Sequence, residues 1–275
     1  MTYPTSAMRF EPSNFTLSNP PLAIVLAQFS LRQVFSQPIL EDMRSSLRSI
    51  GLERLTRKNE RSISFSPGSI NPTVRDSQAW ILLDSKYTKG LSVLGSDLSC
   101  FTGHHSGFED FVAYLSSIVS TISHGGTVLQ VASIALRYIN VFEIGNDPTI
   151  VVKNTLGGLD RTNLGKEHHH HNYEFWCDTD HGRLTLRFST AHGDRKPAQL
   201  GHAEAVFPTE CLRSYDETVG HLDIFTNTTN LGAPVNWEDS KAILKIMNMN
   251  IEQAFLNAIN ESALVERFGA KVKHQ

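Results

Sequence analysis

The chain has 275 residues, of which 40% are hydrophobic and 19% charged, and its formal net charge is −3. That length allows one large domain or two small ones. The apolar fraction excludes a largely disordered chain, and the slightly negative charge counts against general nucleic-acid binding, which requires a strong basic excess.

Cysteine usage and hydropathy indicate the compartment. The N-terminal stretch lacks a basic segment followed by an apolar one, so no secretion signal is predicted. No run approaches the roughly 18 apolar residues of a membrane span. The cysteines are sparse and form no Cys-x-x-Cys pair, which fits a reducing compartment: Cys100, Cys177 and Cys211. We therefore predict a cytoplasmic protein without a membrane span.

The first part of the chain predicts an arm, a strand, a helix and a meander. Residues 1–20 are polar and rich in proline and serine, which is typical of an extended arm. The aliphatic run "PLAIVLAQFSLRQV" predicts a strand over 21–34. A helix follows over 36–51 and ends at Gly51. Turn-separated apolar stretches then predict antiparallel strands: 61–66, 78–85 and 90–101.

A second group of elements follows. A helix with one apolar face is predicted over 106–126. The strand after it, 127–144, is apolar on both faces, which indicates a central strand covered on both sides. A polar loop is predicted over 145–172. Beyond the loop, the pattern predicts a hairpin that turns at 180–182, then two more strands: 173–190, 202–208 and 220–228.

The chain ends in a long predicted helix over 236–269. Asn236 can cap its N-terminus, and Gly269 follows the last residue of the apolar face. Some thirty residues at about 1.5 Å each would span about 45 Å, with a break predicted near Asn260. Such a helix has to lie across a sheet or against a partner.

These elements predict an α+β fold. The strands are mostly antiparallel and form two groups in one extended or split sheet. A packing helix follows each group, and the chain ends in a long C-terminal helix. The chain divides into a first α+β half over 21–144 and a second over 173–275. The arm over 1–20 precedes them, the loop over 145–172 joins them, and we expect them to form one compact unit. No internal sequence repeat supports a duplication.

Four stretches resemble one protein family: "PLAIVLAQFSLRQV", "SDLSCFTGHHSGFEDF", "SIALRYINVFEI" with its Leu-Arg-Tyr-Ile-Asn core, and "AFLNAINESALVERFG". The chain resembles, from about residue 20 to 269, a sporadically distributed family of prokaryotic proteins, most of them uncharacterised. The resemblance implies a setting in mobile genomic islands, where phage-defence and toxin–antitoxin modules lie. It carries over no catalytic residue.

A run of four histidines lies inside the predicted loop: His168, His169, His170 and His171. In an extended segment alternate imidazoles share a face, so the run can hold adventitious nickel, zinc or copper. Four adjacent ligands do not close a tetrahedral site by themselves. We therefore expect a solvated loop and no physiological cofactor.

Two His-x-acid pairs form a sharper metal candidate. "GHAE" places His202 and Glu204 on one face of a strand, and "GHLD" does the same for His221 and Asp223. If the two strands are neighbours in register, two imidazoles and two carboxylates converge, a set that suits zinc, manganese or iron. The same residues could instead form cross-strand ion pairs.

Three more polar residues are candidates for binding. His104 and His105 precede the helix predicted at 106–126, where unpaired backbone N–H groups can bind an anion. The alternative is an ordinary turn with a helix cap. Arg137 lies within the central strand, and because an unpaired buried guanidinium is costly, we expect it to pair with a carboxylate.

Three functions remain open. The first is a non-catalytic binding or assembly component of a prokaryotic defence or toxin–antitoxin-like system, which recognises a phage component or a protein encoded nearby. Its long terminal helix could mediate homo- or hetero-oligomers. The second is a helix-grip-like binder of a lipid or other apolar ligand. The third is a metal-dependent hydrolase or nuclease effector. The sequence contains no G-x-S-x-G, H-E-x-x-H or kinase motif, which favours the non-catalytic functions.

Overall fold

The computed structural model describes residues 10–35, 37–64, 73–123, 129–144, 150–153, 156, 172–192, 218–228 and 231–273. Helices within these ranges are α1 (Gln37–Arg48), α2 (Phe108–Ser123), α3 (Trp237–Ala258) and α4 (Glu261–Glu266). The strands are β1 (Phe15–Leu17), β2 (Leu22–Leu31), β3 (Arg54–Ser64), β4 (Thr73–Leu83), β5 (Lys89–Leu94), β6 (Asp97–Thr102), β7 (Val131–Glu143), β8 (Asn172–Thr179), β9 (Gly182–His192), β10 (Thr218–Asn227) and β11 (Ala270–Val272).

Nine strands form one sheet in the order β3-β4-β5-β6-β2-β7-β10-β9-β8, and every pair in it is antiparallel. The first strand group, β2 to β6, is followed by α2, and the second, β7 to β10, is followed by α3. The groups meet where β2 pairs with β7, for example at Val25 opposite Tyr138. The predicted α+β fold, with an antiparallel sheet and a packing helix after each strand group, is therefore confirmed.

Glycines set several element ends. Gly51 has φ +88 just after α1, as its predicted place at the helix C-terminus requires. Gly95 has φ +62 in a two-residue turn that divides the predicted strand over 90–101 into β5 and β6. Gly182 opens β9 with φ +150, and a Cβ there would lie 1.9 Å from the carbonyl oxygen of Asn227. Only glycine fits that position.

The meander differs in extent from the prediction. β3 begins at Arg54 and β4 at Thr73, both upstream of the predicted stretches. The added residues are mostly polar, so hydrophobic patterning alone does not detect them, and pairing between the two strands extends them. The strand predicted over 202–208 lies outside the described ranges.

Alternating side chains give the sheet two apolar faces. Helices cover one face, where the main core includes Phe29, Leu136 and Leu222. The opposite face carries a second buried cluster that includes Ile24, Phe101 and Ile139. Because β7 contributes to both clusters, the prediction of a central strand buried on both sides is confirmed.

The C-terminal segment matches the predicted helix and its break. The Asn236 side chain caps α3 by accepting from the backbone N–H of Asp239 at 3.0 Å. The helix ends at Ala258, and Asn260 then donates from Nδ2 to the carbonyl oxygen of Val152 at 3.0 Å. α4 continues beyond this break. α3 packs on β7, β10 and β9, so it lies across the second half of the sheet.

Part of the predicted N-terminal arm is ordered against the C-terminus. β1 pairs with β11 in a separate two-stranded antiparallel sheet, with Thr16 opposite Lys271. Phe10 is 3% exposed and belongs to the main core. Residues 10–20 are therefore fixed by packing and strand pairing. None of the helices in the described ranges is long and apolar enough to cross a membrane.

Candidate binding cleft beside strand β8

The predicted partner of Arg137 is Asp223. The Nε and Nη2 atoms of Arg137 on β7 donate to Oδ1 and Oδ2 of Asp223 on β10, both at 2.7 Å. The two side chains are only 16% and 10% exposed. A bidentate pair of this kind satisfies both charges, so the expectation that Arg137 pairs with a carboxylate is confirmed. Whether Arg137 also binds a ligand stays a prediction.

His221 lies on the same face of β10 as Asp223, as the two-residue spacing predicts. Its imidazole is buried, and Nδ1 has no hydrogen-bond partner among the residues that the structure describes. Burial lowers the pKa of His221 to about 4, so the ring is neutral at pH 7. A neutral imidazole is the form that binds metals, and the neighbouring Asp223 carboxylate is already hydrogen-bonded to Arg137.

The other two members of the metal candidate, His202 and Glu204, lie outside the described ranges, as do His168, His169, His170 and His171. Strand β10 has β7 on one side and β9 on the other. Among the residues that the structure describes, no three His, Cys, Asp or Glu side chains are grouped to hold a metal ion. The four-residue metal site stays a prediction.

His104 and His105 occupy the turn between β6 and α2. The Thr102 hydroxyl donates to the carbonyl oxygen of His104 at 2.7 Å and accepts from its N–H at 3.1 Å. The ring of His105 packs edge-on against Tyr138, with 5.8 Å between centroids. Burial lowers the pKa of His105 to about 4, an effect that the nearby Asp110 carboxylate partly offsets. These contacts organise the turn, and anion binding there stays a prediction.

A chain of hydrogen bonds links this region to the N-terminal arm. The Tyr138 hydroxyl donates to Oδ1 of Asn248 at 2.5 Å, and Nδ2 of Asn248 donates to Glu252 at 2.9 Å. The other carboxylate oxygen of Glu252 accepts from the backbone N–H of Ser13 at 2.7 Å. Burial, together with the Glu252 charge, raises the pKa of Tyr138. The phenol therefore stays protonated and serves as a structural donor.

An open cleft of about 520 Å³ lies on the helix-covered side of the sheet, between the outer hairpin and α3. Its sheet wall is formed by β8 and β9 and its helix wall by successive turns of α3. The lining residues are Leu156, Tyr173, Phe175, Cys177, Thr179, Leu184, Leu186, Asn250, Gln253, Ala254, Asn257 and Ala258. None of them carries a charge at neutral pH.

The sheet wall of the cleft exposes aromatic side chains. Tyr173 is 37% exposed and Phe175 is 48% exposed, and both lie on the same face of β8. The pairing of Phe175 with Leu186 and of Cys177 with Leu184 continues the apolar surface inward to β9. An aromatic surface beside a cleft is more typical of a binding site than of a solvated strand.

The helix wall adds neutral hydrogen-bonding groups. Asn250, Gln253 and Asn257 follow one another at helical spacing, so their amides line the same side of α3. Nε2 of Gln253 donates to Oδ1 of Asn257 at 3.3 Å. Amides both donate and accept hydrogen bonds. The lining therefore suits a ligand that is apolar but has uncharged polar groups.

The opposite face of the hairpin is charged. Glu174 on β8 pairs with Arg187 on β9 at 2.7 Å, and Asp178 pairs with Arg183 at 3.3 Å. The Arg183 guanidinium also stacks 4.3 Å from the ring centroid of Trp176. Because one face of β8 is charged and the other lines the cleft, a shift of the strand by one residue would exchange them. These pairs therefore fix the register that presents Phe175 to the cleft.

Sequence patterning identified both walls but not the cleft. The alternation in "NYEFWCDT" predicts a strand, and its aromatics at 173, 175 and 176 indicate that neither face is purely polar. Likewise, the uncharged amides at 250, 253 and 257 share one helix face. That these two surfaces meet depends on α3 crossing the second half of the sheet, which no local pattern specifies.

No protein-family model matches the chain, and neither a curated protein nor a solved structure matches it.

Proposed function

We propose that this protein is a non-catalytic binding protein that holds a segment of a partner protein in the cleft between β8 and α3. The main observation in support of this proposal is the cleft itself, an open, uncharged groove of about 520 Å³ beside a strand with exposed aromatic side chains. Ligand sites are commonly apolar clefts of about 300–1,000 Å³ with a few placed polar groups. Aromatic residues are also enriched at protein interfaces.

The lining favours a peptide over a charged small molecule. Peptide groups pair well with the amides of Asn250, Gln253 and Asn257, and apolar side chains suit Phe175 and Leu186. A fatty-acid carboxylate or a phosphate headgroup would meet no cation among the lining residues, and leaving a charge unpaired in such a groove is costly.

A neutral apolar ligand is the second candidate. The cleft lies between an antiparallel sheet and a long C-terminal helix, as in a helix-grip arrangement, and its volume can hold a lipid-sized molecule. Native mass spectrometry of the purified protein distinguishes the two: a retained neutral lipid supports this candidate, and its absence favours the peptide.

The biological setting rests on the family resemblance alone. It suggests a prokaryotic defence or toxin–antitoxin-like system, with a phage component or a protein encoded nearby as the partner. For the metal-dependent hydrolase, the described residues offer His221 beside an Asp223 that is engaged by Arg137. That arrangement gives the enzyme hypothesis less support than the cleft gives to binding.

The experiment places a charge in the cleft. Tagged wild-type protein and a Phe175→Glu variant are cross-linked in the native host, with and without phage infection, and co-purified proteins are identified. Val34→Glu is the matched control, because Val34 is 69% exposed and away from the cleft lining. We expect a partner protein to be cross-linked to the cleft residues. Wild type and Val34→Glu should both retain this partner, and Phe175→Glu should lose it. Equal retention by all three proteins would contradict the proposal.

A further inference from the structure

Strand β8 is the end strand of the nine-stranded order, and among the described strands it pairs with β9 alone. Trp176, at its centre, is 55% exposed. An end strand presents a row of backbone N–H and C=O groups that another chain can pair with. The cleft therefore runs along an edge that can accept an additional strand.

Hairpin geometry specifies which groups face outward. β8 and β9 are joined by the two-residue turn at 180–181, so Thr179 and Gly182 form the closing pair. Hydrogen-bonded and non-hydrogen-bonded pairs alternate from that closing pair along an antiparallel ladder. The N–H and C=O groups of Glu174, Trp176 and Asp178 consequently point away from β9, toward an incoming strand.

Side chains on the two faces of β8 specify what the incoming strand carries. Its residues on the cleft face would lie beside Phe175 and Cys177, so they have to be apolar. Those on the other face would lie beside Glu174 and Asp178, whose side chains are 48% and 74% exposed. Each of these carboxylates already pairs with an arginine of β9 on its inner side. Because opposite charges at cross-strand positions are stabilising and like charges are not, basic residues fit the outer side and acidic residues do not.

A second copy of the chain fits this edge poorly. If two β8 strands paired antiparallel around Trp176, Glu174 of each copy would lie opposite Asp178 of the other, and the two carboxylates would repel each other. The charge pattern therefore selects a different chain as the occupant.

We infer that β8 accepts an extended segment of a partner protein as a tenth strand, and that this segment alternates basic and apolar residues, with the basic ones four positions apart. Main-chain hydrogen bonds supply affinity in this mode of recognition, and alternate side chains supply specificity. The inference rests on the proposed function and deepens it, since it names the conformation and chemistry of the bound segment.

The probe is the synthetic peptide Ser-Val-Lys-Leu-Thr-Ile-Lys-Val-Ser, and its control has glutamate at both lysine positions. We expect wild-type protein to bind the lysine peptide about tenfold more tightly than the glutamate peptide, measured by fluorescence anisotropy. In Glu174→Gln/Asp178→Asn, which keeps side-chain size at two exposed positions, this preference should disappear. Circular dichroism verifies that the variant is folded.

Amide hydrogen exchange tests the strand itself. Saturating lysine peptide should slow exchange at Glu174, Trp176 and Asp178, whose N–H groups face outward, while the amides that already pair with β9 change little. Binding without this protection, or equal affinity for both peptides, would overturn the inference and leave the cleft as a binding site. Failure of the lysine peptide to bind wild-type protein would also overturn it. Only retention of the native partner by Phe175→Glu would overturn the proposed function.

Discussion

At the scale of single residues, the Arg137–Asp223 pair shows how the sheet accommodates charge in its interior. The two residues are 86 positions apart, and two hydrogen bonds of 2.7 Å join them on neighbouring strands. Breaking a buried pair leaves one charge uncompensated and commonly costs about 3–5 kcal/mol, whereas replacing both partners with apolar residues is often neutral. The pair therefore specifies how β7 and β10 align more than it adds net stability.

We predict that Asp223→Asn lowers the free energy of unfolding by about 3 kcal/mol, because the buried Arg137 guanidinium then loses its bidentate pairing with the Asp223 carboxylate. Urea denaturation measures the loss. The double variant Arg137→Met/Asp223→Leu is the control and should recover most of the stability. An unchanged urea midpoint in Asp223→Asn would show that other contacts satisfy the guanidinium.

His221 makes stability depend on pH. Burial lowers its folded pKa to about 4, whereas an unfolded chain titrates near 6.5. Between these values the unfolded state binds more protons, so stability falls as pH drops from about 6.5 toward 4, by at most about 1.4 kcal/mol per pH unit for this residue. His221→Gln should reduce that slope in urea titrations. The matched change His181→Gln, in an exposed turn, controls for the replacement of a histidine by glutamine.

At the scale of elements, local sequence signals determine where α3 begins, and its packing against the sheet makes it one wall of the cleft. Asn236 caps its start, with Glu238 and Asp239 in the first turn, where the helix dipole favours acids. Its buried side faces the sheet, and its amide-bearing side forms the wall of the cleft. The end of α3 is fixed by tertiary contact as well, because Asn260 bonds to Val152 directly after the helix.

We predict that Asn236→Ala destabilises the protein by about 1 kcal/mol, since the backbone N–H of Asp239 loses its side-chain acceptor. Thermal or urea denaturation measures this effect. Asn236→Asp retains an acceptor oxygen and should cost little. Equal stability of the alanine and aspartate variants would mean that the cap contributes nothing to the folded protein.

At the scale of the whole molecule, the two strand groups share one sheet and one core. β2 and β7 pair along most of their lengths, and the main core draws residues from both groups. Trp237 at the start of α3 packs edge-on against Phe29 of β2, with 5.9 Å between centroids. An element of the second group therefore packs directly on a strand of the first.

We predict a single cooperative unfolding transition for both groups. In the variant Trp176→Phe/Trp237→Phe, fluorescence reports only Trp80, in β4 near the far edge of the sheet. Its urea transition should coincide with the one measured by far-UV circular dichroism, which reports the whole chain. A separate second transition in the circular dichroism would show that the groups unfold independently.

The sequence by itself determined the types of element and many of their ends. Apolar periodicity specified β2, β7, α2 and α3, and residues such as Asn236 and Gly51 marked helix termini, because capping and turn geometry depend on neighbours within a few positions. Apolar periodicity did not indicate the extra length of β3 and β4, because the added residues are mostly polar and are held by pairing between the two strands.

Only the tertiary structure decided which elements meet. Sheet order placed Asp223 beside Arg137 and gave β10 the neighbours β7 and β9. It also put β8 at the end of the sheet and α3 beside it, which creates the cleft. The physical reason is that the pairing of strands distant in sequence depends on the total apolar surface that the whole sheet buries on its two faces. No local sequence pattern contains that quantity.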